Sequence, residues 1–321
     1  MNRGKDINIA SKCILNGDIV VFPTETVYGI GANCFNIEAV NKIFKAKNRP
    51  NDNPLIVHIS DFNMLNKVAC DINYLEQKLI DKFMPGPISV ILNKTDDIPL
   101  CVTGNLPTVA VRMPSSDIAR KFIAMCDTPI AAPSANVSTK PSGTSIDEIY
   151  EELNNNVAYF LEDEKCDIGI ESTVVKVIDN TIHILRPGYI TCEDLKCITD
   201  NVVYDNKTII SPGMKYKHYS PNTKCILVTD DYISKINNLD NNIKIAVMVE
   251  EKNIDKLIKK DNMYIINLGF SYSDIAKNLF KYLRDLDNLD IDVCYIQELK
   301  NEGIGVALMN RIIKACEYNS I

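Results

Sequence analysis

Four short apolar runs, "KCILVTD", "KIAVMVE", "MYIINLG" and "CYIQEL", recur between Lys224 and Leu299, and a helix-like stretch follows each of them. Runs of this length bounded by polar or glycine-bearing segments read as buried strands. Helices placed between successive strands require crossover connections, and crossovers make a mainly parallel sheet. The C-terminal part of the chain is therefore expected to be a small Rossmann-like α/β/α unit. Its last helix, in "GIGVALMNRIIKAC", opens just behind Gly303 and Gly305. A dinucleotide fingerprint belongs after the first strand of such a unit, so these glycines point to tight helix-to-strand packing.

The preceding two-thirds alternates strand-like and helix-like stretches less regularly. Ile7, Ala10, Cys13 and Ile14 form one helical face, which Gly17 can end in the left-handed conformation. "DIVVFPT" reads as a strand, and Asn36 as the N-cap of a helix carrying Val40, Ile43 and Phe44. "NPLIVHIS", "GPISVILNK", "TVAVRMP", "PIAAPSAN", "STVVKVID" and "TIHILRPG" are further strands or strand-to-loop transitions. This order predicts an open, twisted, mixed sheet with helices. A chain of 321 residues suits two domains. The expected boundaries are residues 1–205, a linker at 206–222, and residues 223–321.

That linker contains "SPGMKYKHYSP", from Ser211 to Pro221, whose proline and glycine oppose a helix and whose polarity opposes a buried strand. Composition alone leaves it between a solvated connector and a functional loop.

No apolar run approaches the roughly 18 to 20 residues of a membrane span. The N-terminus mixes charge with apolar residues at helical spacing, unlike a secretion signal, which points to a cytoplasmic protein without a membrane role. Eleven scattered cysteines with no CxxC or Cys/His cluster are expected to be reduced and mostly buried. Only three histidines are present, so no metal site is expected. The net charge is −7, and up to Ile210 the chain holds 20 Lys and Arg against 27 Asp and Glu. The first domain thus carries the negative excess, which argues against a broad nucleic-acid-binding face.

Walker-type phosphate loops, GxSxG and HExxH are all missing. Polar residues instead gather at strand ends. "FPTETVYGIGAN" offers Thr24, Glu25, Thr26 and Tyr28; "KAKNRPNDNP" offers Lys45, Lys47 and Arg49; His58 and Arg112 close strand-like runs. Taken singly, each has an ordinary structural reading: cations at a helix C-terminus, a satisfied strand histidine, hydroxyl-rich turns. Alternation of Arg112 with Val109 and Val111 is compatible with a solvent face or a site.

Together, "FPTETVYGIGA", "KNRPNDNPLIVHI", "MPGPISVIL", "VAVRMP", "IAAPSANVS", "GIESTVV", "LRPG" and "SPGMKYKHYSP" resemble, in this order, the YrdC-like threonylcarbamoyl-adenylate synthases in their long two-domain form. The resemblance implies that L-threonine, bicarbonate or CO2, and ATP are converted to threonylcarbamoyl-AMP and pyrophosphate. It further implies that a separate transferase complex passes the product to N6-threonylcarbamoyladenosine in tRNA, and that Mg2+ accompanies ATP.

By the same resemblance, Lys47 and Arg49 are the catalytic clamp on the ATP phosphates, with Asn53, Thr108, Ser134, Ser142 and Arg186 also binding ATP. Thr26, His58, Arg112, Ala132 and Ser172 surround the threonine, with Arg112 gripping its carboxylate. Ser211, Lys215, Tyr216 and His218 belong to a gate loop that excludes water from the mixed anhydride. Met84 replaces an aromatic residue found in many relatives. Two other readings remain: an RNA-binding protein that holds tRNA directly without ATP turnover, and a related carbamoyl-adenylate enzyme of hydrogenase maturation, whose extra motifs are missing here.

Overall fold

The computed structural model describes residues 2–163, 166–205, 219–239 and 242–321. Its contacts divide the chain into two units, Met1–Ser138 with Ser142–Lys215, and Thr139–Pro141 with Tyr216–Ile321. The Ser211–Pro221 segment lies largely outside the described residues, including Ser211, Lys215, Tyr216 and His218.

In the first unit Asp6 caps helix Ile7–Leu15 by accepting from the amides of Asn8 and Ile9, and Gly17 follows it at φ 80°. Asn36 caps helix Ile37–Lys47 by accepting from the Ala39 amide. That helix ends at Asn48 in the left-handed conformation (φ 50°), a position asparagine tolerates better than most residues. Lys47 and Arg49 therefore flank a sharp change of chain direction.

The strands form one mixed sheet, confirming the expected open α/β architecture. Their order is Arg3–Gly4, Tyr159–Leu161, Val20–Phe22, Gly29–Asn33, Ile130–Ala132, Ile56–His58, Thr108–Arg112, Ile88–Lys94, Thr173–Ile178, Thr181–Arg186 and Val202–Tyr204, with Ala69–Cys70 beside Ile88–Lys94. Strand Ile56–His58 runs parallel to Thr108–Arg112 and antiparallel to Ile130–Ala132.

Register decides which residues share a face, because strand side chains alternate with period two. Val57 is level with Val111 and Ala131, and Val111 with Val90; all four belong to the main core. Ile56 is level with Ala110 and Ala132, and Ala110 with Ile91, so these occupy the opposite face. There Ile56, Ile91, Ala110, Val174 and Leu185 form a small apolar cluster separate from the main core. His58 and Arg112 are register partners on this second face. A one-residue slip of Thr108–Arg112 would drive the guanidinium into the core and expel Val109 and Val111, each worth about 1.5–3 kcal/mol of burial. The valines thus fix where Arg112 points.

The second unit is an all-parallel sheet in the order Lys224–Val228, Val293–Gln297, Ile245–Val249, Met263–Asn267. Helices Tyr232–Asn237, Tyr272–Asp285 and Ile304–Ala315 complete the Rossmann-like unit. Gly305 lies inside the last helix, where a Cβ would come within 2.1 Å of the Lys300 carbonyl oxygen. Close packing is therefore the reason for that glycine. All eleven cysteines are free, and seven are buried. Among the described residues, no helix is long and apolar enough to cross a membrane.

Candidate active site

The second face of the large sheet places His58 and Arg112 side by side. Arg112 closes strand Thr108–Arg112 and is 3% exposed. Its Nη2 lies 2.8 Å from Glu25 Oε1, and both side chains are buried. The contact is a buried ion pair, and Arg112 Nε has no further hydrogen-bond partner among the described residues. Burial works against the Glu25 charge, but the Arg112 guanidinium, helped by the Glu25 and Ser115 amides, outweighs it and holds the carboxyl below the usual carboxylate range.

His58 sits beside Arg112 in register and is buried. Nδ1 is 3.2 Å from the Ile56 carbonyl oxygen, a contact only a protonated Nδ1 can use as a hydrogen bond. The ring also packs edge-on to Phe22, with centroids 5.9 Å apart. Desolvation, aided by the Arg112 charge, pushes the imidazole down to about 3. His58 is therefore neutral at physiological pH and suited to hydrogen bonding. In the unfolded chain the ring titrates near 6.5, so between pH 7 and 5 only the unfolded state gains the proton and stability falls with acidification. From pH 7 to 5 this group should cost about 2 kcal/mol. Urea unfolding of the wild type and His58→Gln at both pH values checks this, with the variant lacking that share of the loss.

Ser172 and Arg186 are joined directly. Arg186 Nε and Nη2 donate to the Ser172 carbonyl oxygen at 3.1 and 2.9 Å, and Nη2 donates to Ser172 Oγ at 3.0 Å. Ser172 Oγ is also 2.8 Å from Ser89 Oγ. Ser89, fully buried on the strand next to Thr108–Arg112, was not singled out from the sequence. The available signal was one hydroxyl inside the apolar run "ISVIL". Gly188 packs behind this group, where a Cβ would fall 2.4 Å from the Thr173 amide nitrogen.

A second group surrounds the loop after strand Ile130–Ala132. Lys47, 1% exposed, donates through Nζ to the carbonyl oxygens of Ser134 and Asn136. Ser134 Oγ donates to Asn136 Oδ1 at 2.6 Å, and the Ser138 amide returns to the Lys47 carbonyl at 2.9 Å. Asn136 is a further residue that sequence reasoning passed over. Arg49 Nη2 reaches the carbonyls of Asn53 and Pro54 at 3.4 and 3.2 Å, bracing that turn. Asn53 is 2% exposed, and its Oδ1 is buried without a hydrogen-bond partner among the described residues.

Thr26 is fully buried, its Oγ1 2.9 Å from Thr24 Oγ1. Ala132 is level with Ile56 and is buried. Ser142 donates to Glu171 Oε1 at 2.6 Å, and Glu171 is another buried acid not anticipated. Thr108 begins the strand that Arg112 ends, about 13 Å along the backbone from it.

Buried cations, hydroxyls and a neutral histidine, gathered at strand ends and at the loop after Ile130–Ala132, are the groups a polar small-molecule site requires. Comparison with known proteins agrees. The family model Sua5_yciO_yrdC, described as telomere recombination, matches residues 12–188, and a threonylcarbamoyl-AMP synthase C-terminal domain model matches residues 190–316. The chain belongs to the Sua5/YciO/YrdC family, in the form that carries the Sua5 C-terminal domain. It is 40% identical to the threonylcarbamoyl-AMP synthase of Pyrococcus abyssi, over 98% of this chain and 95% of that protein. The Bacillus subtilis threonylcarbamoyl-AMP synthase is 35% identical, over 95% of this chain and 91% of its own length. The crystal structure of P. abyssi Sua5 complexed with L-threonine superposes with a TM-score of 0.89 at 36% identity, covering 99% of this chain and 98% of that one.

Proposed function

We propose that this protein is an L-threonylcarbamoyladenylate synthase, a nucleotidyltransferase that supplies threonylcarbamoyl-AMP for N6-threonylcarbamoyladenosine modification of tRNA. The observation that carries this reading is Arg112, a buried guanidinium paired with Glu25 on the same sheet face as neutral His58. Such a group suits a planar carboxylate, which a guanidinium fork engages by two hydrogen bonds.

The chemistry asks for positioning more than for a protein base. Threonine's amine combines with CO2 and loses a proton to give a carbamate. A carbamate oxygen then attacks the α-phosphorus of ATP, the bond to the β-phosphate breaks, and pyrophosphate leaves. The attacking group is already anionic, so catalysis rests on alignment and on neutralising phosphate charge. Arg49 and Lys47 serve the phosphate side, with Asn53, Ser134, Ser142 and Arg186 shaping the nucleotide pocket. Thr26, His58, Ala132 and Ser172 enclose the amino acid.

Mg2+ enters with the triphosphate as part of the substrate. Among the described residues no three His, Cys, Asp or Glu side chains gather to hold an ion, so phosphate oxygens and water would be its ligands. A tRNA threonylcarbamoyl transferase complex would take up the product. The gate role of Ser211, Lys215, Tyr216 and His218 is part of the same proposal, as is a catalytic domain at 1–205 joined through 206–222 to residues 223–321.

Pyrophosphate release from ATP and bicarbonate tests the reading, with L-threonine, L-serine or no amino acid present. Release that requires L-threonine is expected. Folded protein with Mg2+ that shows no threonine-dependent release, but binds tRNA with steep salt dependence, would replace it with the RNA-binding reading.

A further inference from the structure

Glu25 is a buried acid to which the reaction above gives no task. Its carboxylate touches Arg112 at 2.8 Å, and both side chains are buried. It also lines a cleft of 330 Å³ whose walls include Ser115, Ser116 and three further acids, Asp117, Asp163 and Asp167. Among the described residues that line that cleft, none is a lysine or arginine. Although Asp117 pairs with Arg120, a wall of this acidity favours an ammonium group over a triphosphate.

Arg112 alone would accept any carboxylate, so it gives no reason to prefer an amino acid over the corresponding hydroxy acid. Pairing with Glu25 changes this. The pair is neutral as a unit, so a bare carboxylate arriving at Arg112 leaves one uncompensated negative charge in a buried site, which is strongly disfavoured. A zwitterion brings its own positive end and leaves the site neutral. We propose that Glu25 is the counter-charge for the amino acid's α-ammonium, so that the Arg112–Glu25 pair selects zwitterions and rejects bare hydroxy acids. This rests on reading the site as one for L-threonine. Glu25 then acts as a specificity residue, separate from the phosphate clamp.

Calorimetric titration of the full chain compares L-threonine with 2,3-dihydroxybutanoate of the same configuration, in which a hydroxyl replaces the amino group. The wild type should bind L-threonine at least tenfold more tightly. In Glu25→Gln the site carries the unbalanced charge of Arg112, and the two affinities should come within about threefold of each other. A purely structural brace would weaken both ligands together and leave their ratio unchanged, and that result overturns the proposal. Should Glu25→Gln fail to fold, Glu25→Asp withdraws the charge by one methylene and should narrow the ratio severalfold; an unaltered ratio there also overturns it. Equal binding of both ligands by the wild type overturns it without any variant. Failure of the wild type to bind L-threonine at all would instead sink the functional reading on which this one stands.

Discussion

Arg112→Ala should lower kcat/KM for threonine in pyrophosphate release about a thousandfold, because truncating one member of a buried charge pair costs 2–5 kcal/mol or more in binding and each 1.4 kcal/mol is a factor of ten. Two effects contribute. The substrate carboxylate loses its fork-shaped partner, and Glu25 is left as an uncompensated charge in a site where both side chains are nearly inaccessible. The second effect also reaches the fold, where removal of one partner from a buried pair costs about 3–5 kcal/mol. Urea unfolding should therefore show a large loss for Arg112→Ala. The double variant Arg112→Met with Glu25→Gln removes both charges together and should recover much of that stability while leaving activity lost. A double variant no more stable than Arg112→Ala would mean that the ion pair is not what the single substitution disrupts. Arg112→Lys, which keeps the charge without the planar fork, should stay well below the wild type.

Much of this architecture can be read from residue order because the patterns are local. The four apolar runs after Lys224 became the four parallel strands, and Asn36 became the cap of its helix. Which face Arg112 occupies is only half local. Alternation with Val109 and Val111 separates the guanidinium from the valines, but it does not say whether the opposite face meets water or substrate. That depends on Ile56, Ile91, Val174 and Leu185, which come from three other stretches of chain plus one hairpin partner and meet only through the sheet order. Ser89 and Ser172 are 83 residues apart, and their contact follows from the parallel pairing of strands Ile88–Lys94 and Thr173–Ile178. The pairing of Glu25 with Arg112 is likewise non-local, so no spacing in the sequence announces it. The resemblance to a known family supplied candidate ligands, but not the bonds that join Arg186 to Ser172 or Lys47 to Asn136.

Lys47 shows why such bonds matter. Resemblance makes it a phosphate clamp, whereas the folded chain uses its ammonium to hold the carbonyls of Ser134 and Asn136. These roles predict different outcomes for Lys47→Met. A clamp acting only on ATP would raise the KM for ATP and leave unfolding unaltered. A buried pin would leave two main-chain carbonyls without their donor, at about 1–3 kcal/mol each. It would also release the loop whose Ser134 hydroxyl is fixed through Asn136. The burial of Lys47 and the return bond from the Ser138 amide favour the pin as a necessary part of its action. Lys47→Met is therefore expected to lose about 2–4 kcal/mol in urea unfolding, together with at least a hundredfold in kcat/KM for ATP. Threonine binding in the absence of ATP should weaken as well, since Ala132 leads directly into the released loop. Unchanged unfolding with a loss confined to ATP would return Lys47 to the phosphates alone. A loss in all three measurements would mean that one side chain aligns the amino acid and the nucleotide by fixing the backbone between them.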